Sequence, residues 1–155
     1  MASALNQSVV QFAQQQINNQ VGAGECWDLA EEALKTAGAK TSNNIMGAKN
    51  VTPTADYKWG TPIKFMSLQE GDIIQFRNYK YTLTNDDGSG ETQERPHHTA
   101  IVAKVWYHGC VEVYEQNVAN QRKVELHTLY FKAGSADGAT VKLRGTTWFY
   151  RPVKK

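Results

Sequence analysis

The hydrophobic pattern of this chain changes its period once, near Gly71. Before that point, apolar residues recur every three to four positions, which is the spacing of one face of an α-helix. After it, short apolar runs are separated by clusters of Gly, Asn and Asp, which is typical of β-strands joined by hairpins. Two N-terminal helices followed by a run of antiparallel strands predict an α+β fold, in which the helices pack on a sheet or half-barrel of about five to six strands.

A cysteine opens the second of the two predicted helices. The first helix is predicted over residues 3–19 with Ser3 as its N-cap, and the second begins at Cys26 and ends near Gly38. Backbone N–H groups are free in the first turn of a helix, and the helix dipole there favours a thiolate over a thiol. Cys26 is therefore suited to be a nucleophile, although an ordinary buried core cysteine fits the same pattern.

The strands are predicted from short apolar runs, and the loops from Gly, Pro, Asn and Asp. Residues 40–58 show no sustained period and are predicted to form a loop. The cluster at residues 85–90 is a strong hairpin signal. The predicted strands cover residues 63–65, 72–83, 98–106, 110–117, 122–131 and 140–150.

Composition limits the functions that the chain can have. Its 155 residues suit a single domain over 1–155, and its net charge of +2 is too small to predict binding to nucleic acid or to an anionic membrane. No apolar run approaches the length of a membrane span, and the N-terminus lacks the basic and apolar regions of a secretory signal. Two cysteines are too few for a disulfide framework, so both are interpreted as free thiols. We expect a monomeric, cytoplasmic protein.

A cysteine nucleophile needs a base that takes its proton and a third polar group that orients the base. The histidine pair 97–98 is predicted to open a strand beside a loop, where a rigid scaffold can hold an exposed side chain. The next strand ends with Glu115-Gln116-Asn117, and strand alternation points Glu115 and Asn117 the same way, at the level of the histidines. The residues alone leave open which histidine is the base and which of Glu115 and Asn117 orients it. The remaining histidines are His108, predicted in a turn, and His127, interpreted as packed within a strand.

Four blocks occur in order along the chain: Gly24-Glu25-Cys26-Trp27-Asp28-Leu29-Ala30, Gly71-Asp72-Ile73-Ile74-Gln75-Phe76, His98-Thr99-Ala100-Ile101-Val102 and Glu115-Gln116-Asn117. These blocks resemble those of the papain-like NlpC/P60 and CHAP superfamily of cysteine peptidases. Together with Trp59-Gly60-Thr61-Pro62 and Trp148-Phe149-Tyr150-Arg151-Pro152, they are similar to the cysteine-proteinase-fold domain of fungal myosin-tail-interacting, actin-patch proteins. This likeness runs almost from end to end of the chain.

The resemblance implies a role for each residue of the site. Cys26 would be the nucleophile and His98 the base, since the family block has its histidine at this position. Glu115 or Asn117 would orient the imidazole. Gln20, six residues before Cys26, matches the oxyanion-hole glutamine of papain-like peptidases. Candidates for the wall of the substrate groove are Trp27, Trp59 and His97.

The resemblance implies a thiol hydrolase, an amidase or peptidase that cleaves an amide bond of a peptide, a peptidoglycan stem or an isopeptide. Two alternatives use the same fold. One is a catalytically silent module that binds a peptide or a protein partner without cutting it, and the other is an acyltransferase that passes the acyl group to an amine. No cofactor is expected. A metal is not expected either, because ligand spacings such as Cys-x-x-Cys are missing among Cys26, His97, His98 and Cys110.

Overall fold

The computed structural model describes residues 2–107, 109–136 and 138–155. Within them, the helices are α1 (Ala4–Gln15), α2 (Cys26–Ala37) and α3 (Ser42–Met46), and short 3₁₀ turns lie at Ala48–Asn50 and Phe65–Ser67. His108, which the sequence places in a turn, lies outside the described residues. None of the helices described is long and apolar enough to cross a membrane.

Local signals explain where α1 and α2 begin and end. The Ser3 side chain accepts a hydrogen bond from the Asn6 N–H and caps α1, as predicted. Helix α2 ends at Gly38, whose φ of +82° is the left-handed conformation of a helix C-cap. The prediction that α1 continues to residue 19 is wrong, because residues 18–19 leave the helix to form backbone hydrogen bonds with Val124.

The strands form one antiparallel sheet, and the α+β class is confirmed. Their bounds are β1 (Thr61–Ile63), β2 (Ile73–Asn85), β3 (Gly90–Val105), β4 (Cys110–Glu115), β5 (Glu125–Tyr130), β6 (Gly134–Ala136) and β7 (Ala139–Arg151). The order across the sheet is β1-β7-β2-β3-β4-β5, with β6 beside β7. The strands in the described ranges number seven, and the three-residue β6 is the one that the sequence pattern did not predict.

Strand β3 begins well before the histidines, so the prediction that the pair 97–98 opens a strand is wrong. The strand starts at Gly90, and both histidines lie inside it. The sequence misleads here because Pro96 has no N–H and normally marks a break in a sheet. Pro96 is tolerated because it lies opposite an irregular stretch of β2, residues 77–80, and because β4 pairs with β3 only from Ile101 onward.

Two hydrophobic cores stabilise the fold, one on each face of the sheet. The first joins α1 and α2 to the sheet and contains Leu29, Leu34 and Trp59. The second lies on the opposite face and contains Phe76 and Leu129. Each large apolar side chain that is fully buried contributes about 1.5–3 kcal/mol. The packing of α2 on the first core fixes the position of its N-terminus relative to the sheet.

The sheet curls so that β2 approaches β5, three places away in the strand order. The hydroxyl of Tyr79 donates a hydrogen bond to the carbonyl of Tyr130, and the hydroxyl of Tyr81 lies 3.5 Å from the carbonyl of Thr128. Tyr130 and Thr128 belong to β5, an outer strand of the sheet. The sheet is therefore a half-barrel whose open side is bridged by tyrosine hydroxyls.

Candidate active site

A tight glycine turn places Cys26 at the first position of α2. Gly22 and Gly24 have φ values of +57° and +86°, in the left-handed region that favours glycine. A Cβ on Gly22 would lie 2.8 Å from Oδ1 of Asp28, so the turn has no space for a larger residue there. The Asp28 carboxylate also accepts a hydrogen bond from the Glu25 N–H at 3.0 Å, which caps the helix. Cys26 is partly exposed at this helix start.

The Gln116 side chain ties this turn to the end of β4. It is wholly buried, and its Oε1 accepts a hydrogen bond from the Val21 N–H at 2.8 Å. Its Nε2 donates to the carbonyls of Val21 and Glu25 at 3.0 and 2.8 Å. Gln116 directly follows Glu115, so the strand that carries the third site residue also fixes the turn that carries the nucleophile.

His98 faces the Cys26 thiol from the middle of β3. Its side chain is almost wholly buried, and its Nε2 lies 3.0 Å from Oε1 of Glu115. This contact is at ion-pair distance, although its angles are not those of a well-aligned hydrogen bond. The imidazole also lies beside the Cys26 thiol, and each of the two groups shifts the pKa of the other. Because Nε2 faces Glu115, the ring presents Nδ1 to the sulfur.

These contacts shift two pKa values toward a thiolate–imidazolium pair. Burial raises the pKa of the Cys26 thiol, but the hydrogen bond and positive charge of His98, with the Thr99 backbone N–H, lower it below the ordinary thiol value. Burial lowers the pKa of His98, but its contacts with Cys26 and Glu115 outweigh burial and raise this pKa to about 9. The site therefore favours the charged pair, which is the reactive form of a cysteine nucleophile.

Glu115 lies at the centre of the buried charges behind His98. It has no exposed surface, and Arg95 binds both of its oxygens, Nε to Oε1 at 2.8 Å and Nη2 to Oε2 at 2.9 Å. Nδ1 of His127 lies 2.8 Å from Oε2. Burial would raise the pKa of Glu115, but Arg95 and the two histidines hold it well below its ordinary value. The carboxylate is therefore ionised at neutral pH.

Sequence reasoning missed Arg95 and assigned His127 only a packing role. The strand predicted from the sequence starts at residue 98 and does not include Arg95. A strand prediction extended through Pro96 would have placed an arginine on the sheet, and a buried arginine requires an anionic partner. His127 lies two residues before the buried Leu129 in β5, so both side chains point to the same face of the sheet. Glu115 is on that face too, and this alternation is the sequence signal that could have found His127.

Asn117 does not continue the strand that Glu115 ends. Its φ of +64° is left-handed, so the alternation of side chains stops at Glu115. The Asn117 Nδ2 donates a hydrogen bond to Oε2 of Glu25 at 3.1 Å. The structure thus brings Glu115 to the imidazole of His98, and it brings Asn117 to the residue that precedes Cys26.

A cavity of about 560 Å³ opens beside the Cys26 thiol. Glu25 brings a carboxylate to its wall, and this carboxylate is paired with Arg122. Trp27 and His97, both groove candidates from the sequence, are part of the wall. Most of the lining is uncharged. The lining residues are Glu25, Cys26, Trp27, Asn43, Val51, Thr52, Pro53, Tyr57, His97, His98 and Asn117.

Two other residues predicted for the site take different positions. Trp59 has no exposed surface, and its indole N–H donates a hydrogen bond to Oε1 of Gln75 at 2.9 Å. It is therefore a core residue rather than a groove residue. Gln20 is exposed and donates from Nε2 to the Gly22 carbonyl at 3.2 Å. Its Cδ would lie 3.2 Å from a Cβ on Gly24, so Gln20 flanks the turn before Cys26 without lining the cavity.

Cys110 has a different environment from that of Cys26, although both are partly exposed. It begins β4 and lines a separate cavity of about 430 Å³, and burial raises the pKa of its thiol. Both cysteines fall within the described residues and are free thiols. In the same part of the chain, no group of three or more His, Cys, Asp and Glu side chains is arranged to hold a metal ion. Cys110 is thus an internal reference for the chemistry of Cys26.

Solved structures with this fold include two of Ly7917. The crystal structure of Ly7917 with the hydrolyzing product of MDP has a TM-score of 0.54 and 17% identity, and the match covers 95% of this chain and 63% of that one. The crystal structure of Ly7917 has a TM-score of 0.52 and 18% identity, with 81% and 56% covered. These likenesses concern the fold alone, and they agree with the predicted papain-like architecture.

Comparisons of the sequence also relate this chain to a cysteine proteinase-fold domain. Altered inheritance of mitochondria protein 3 of Debaryomyces hansenii is 28% identical over 131 residues, which cover 76% of this chain and 13% of the relative. The chain therefore spans a small part of the length of that protein. The family model described as the AIM3/BBC1 cysteine proteinase-fold domain matches residues 1–155. The chain belongs to the family of AIM3/BBC1 cysteine proteinase-fold domains.

Proposed function

We propose that this chain is a cysteine hydrolase that cleaves an amide bond through Cys26, His98 and Glu115. One observation carries the proposal: the Cys26 thiol adjoins the His98 imidazole in the wall of an open cavity, and an ionised Glu115 lies behind the imidazole. A structural cysteine requires none of these features. Cys110, whose thiol pKa is raised by burial, has no imidazole in its cavity wall among the described residues.

The reaction follows from the positions of these groups. The Cys26 thiolate attacks the carbonyl carbon of the amide, and the imidazolium of His98 gives its proton to the leaving amine. A thioester on Cys26 remains. The neutral His98 then takes a proton from a water molecule as that water attacks the thioester, which releases the acid and returns the thiolate–imidazolium pair. Glu115 stabilises the imidazolium at Nε2 in both steps.

The oxyanion formed in each step needs hydrogen-bond donors. The backbone N–H of Cys26 is in the first turn of α2, where N–H groups have no partner within the helix. We assign the second donor to the Gln20 amide, which flanks the same turn. The role requires Nε2 to leave the Gly22 carbonyl. Gln20→Ala should then lower kcat without changing the rate at which iodoacetamide labels Cys26, whereas an unchanged kcat would remove Gln20 from the mechanism.

The substrate that this site suits is a peptide or another uncharged amide. The cavity beside Cys26 is lined mainly by uncharged side chains, and its carboxylate, Glu25, is already paired with Arg122. One structural neighbour, Ly7917, was crystallised with a hydrolyzing product, which supports hydrolysis as the reaction class for this fold. Because both cysteines are free thiols, we place this chemistry in a reducing compartment such as the cytoplasm.

Acyl-enzyme formation tests the proposal directly. The protein is mixed with p-nitrophenyl acetate, and mass spectrometry locates the acetyl group. A complex peptide library is then incubated with the protein, and new peptide termini are counted. We expect a thioester on Cys26, cleaved peptides, and loss of both in Cys26→Ala and His98→Ala. A protein that forms no thioester and cuts no peptide would overturn the proposal.

A second candidate is a silent module that holds a peptide or a protein partner in the same cavity. The observation that favours it is the relative, which is much longer than this chain and whose name describes inheritance of mitochondria rather than a reaction. This candidate predicts that Cys26→Ala retains peptide binding and that the wild type gives no acyl-enzyme. An acyltransferase would form the same thioester, and an added amine would appear as a new conjugate.

A further inference from the structure

Each nitrogen of the Arg95 guanidinium group donates a hydrogen bond. Nε and Nη2 bind the two oxygens of Glu115, and Nη1 donates to the Glu94 carbonyl at 2.8 Å and to Oε1 of Gln93 at 3.0 Å. The side chain is 4% exposed. A guanidinium group that binds both carboxylate oxygens fixes the plane of the carboxylate as well as its place. The backbone of β3 therefore sets the orientation of the Glu115 carboxylate through Arg95.

The arrangement divides the acceptor positions of Glu115 between its partners. Arg95 takes one position on each oxygen, His98 approaches Oε1 and His127 approaches Oε2. A buried carboxylate without compensation takes up a proton, because burial disfavours its charged form. A protonated or rotated Glu115 would no longer present a negative oxygen to Nε2 of His98. The direction of the imidazole, and with it the approach of Nδ1 to Cys26, would then be free to change.

We propose that Arg95 is a positioning residue for the Cys26–His98 pair. It acts through Glu115, which it keeps ionised and oriented so that Oε1 faces His98. The inference rests on the proposed function only in that it concerns the same thiolate–imidazolium pair. In this role Arg95 contacts neither the substrate nor the reacting atoms.

Two substitutions separate this role from two simpler ones. If Arg95 acted only as a nearby positive charge, Arg95→Lys would keep that charge and would leave the pH midpoint of Cys26 ionisation unaltered. If it only neutralised Glu115 for the sake of folding, its removal would change stability and leave the ionisation of Cys26 unaltered. A positioning role predicts that removal raises the pH midpoint of Cys26 ionisation, because His98 loses the oriented carboxylate.

The experiment measures iodoacetamide labelling of Cys26 against pH by mass spectrometry, with Cys110 as the reference thiol. For Arg95→Met we expect the midpoint to rise by about one pH unit, which makes labelling below the midpoint about tenfold slower. Arg95→Lys keeps the charge without the two parallel hydrogen bonds, so its midpoint should lie between those of the wild type and Arg95→Met. The control is Arg144→Met, since Arg144 is exposed and its contact with Glu94 is a long one of 3.9 Å. The pH profile of this variant should match that of the wild type.

The same substitution in a Glu115→Gln background tests whether Arg95 acts through Glu115. Arg95→Met should add no further rise in the midpoint there. An equal further rise, an unchanged midpoint in the single variants, or a lowered midpoint would each overturn the proposal. If Arg95→Met fails to fold, as judged by circular dichroism, Arg95→Lys decides the question: a raised midpoint supports the proposal and an unchanged one overturns it. The readout needs no substrate. A protein that cuts no amide but shows these shifts would contradict the proposed function and would still support the positioning role of Arg95.

Discussion

Glu115 contacts His98 from a diagonal position on the neighbouring strand rather than from directly opposite it. Tyr114 pairs with Ile101 between β4 and β3, so a continued register would set Asn117 opposite His98. The strand ends at Glu115 instead, and Oε1 of Glu115 reaches across to Nε2 of His98 at 3.0 Å. Diagonal neighbours lie about 7–8 Å apart at the backbone, which a long side chain such as glutamate spans.

Glu115→Gln should make Cys26 less reactive at neutral pH. The amide has no charge to stabilise imidazolium, so the pKa of His98 falls from about 9 and the thiolate loses its partner. We expect iodoacetamide labelling of Cys26 at pH 7 to slow by about tenfold. The matched control is Glu125→Gln, since Glu125 lies 3.9 Å from His127 and belongs to the outer strand β5. Equal labelling rates in the two variants would show that Glu115 has no part in activating Cys26.

The two shifted pKa values give turnover and labelling different pH profiles in the wild type. Labelling requires the thiolate, which forms above the lowered pKa of Cys26 and persists as pH rises. Turnover also requires the imidazolium of His98, which is present below about pH 9 and is lost above it. On a confirmed substrate, kcat should therefore decline above about pH 9 while labelling stays on its plateau. A parallel decline of both would contradict this assignment of the proton.

Asn117→Gly should leave the ionisation of Cys26 nearly unchanged. The Asn117 amide contacts Glu25 at the exposed rim of the cavity, and glycine accepts its left-handed φ of +64° without strain. We expect the labelling rate at pH 7 to change by less than about threefold, since exposed polar contacts contribute little. A slowing as large as that of Glu115→Gln would restore Asn117 as the partner of the imidazole.

Gln116→Leu should destabilise the protein and slow the labelling of Cys26. Leucine has a similar volume but leaves the Val21 N–H and two carbonyls of the turn without their buried partner. The expected loss is about 2–3 kcal/mol in the free energy of unfolding, measured with urea. Gln11→Leu on the exposed face of α1 serves as the control and should stay within about 0.5 kcal/mol. Wild-type stability and labelling in Gln116→Leu would mean that the turn holds Cys26 without help from β4.

The sequence predicts the parts of the site that depend on local chemistry. The start of α2 at Cys26 and its end at Gly38 follow from glycine and capping signals a few residues away. The choice of His98 over His97 came from the family block, and the structure turns His98 to the thiol while His97 contacts the Ala55 carbonyl. These are short-range relations that a single sequence carries.

The remaining parts depend on contacts between distant segments. Arg95 and Glu115 are 20 residues apart, and their pairing requires β3 to extend through Pro96, against the local preference of proline. Trp59 is a large aromatic residue of the kind that lines substrate grooves, but only the packed fold shows that its indole lies in the core against Gln75. Burial of this kind is a property of the assembled sheet and helices, and sequence spacing does not record it.

The tyrosine hydroxyls that bridge the half-barrel also decide how a peptide can meet this protein. An outer strand normally offers a row of carbonyl and N–H groups to which an extended peptide, or a second copy, can add by β-augmentation. On β5 the Tyr130 carbonyl is already taken by Tyr79, and the Thr128 carbonyl faces the hydroxyl of Tyr81. Addition of a strand at this edge would have to displace both tyrosines. An extended peptide is therefore not expected to add at β5, and the proposed peptide substrate would reach Cys26 through its cavity.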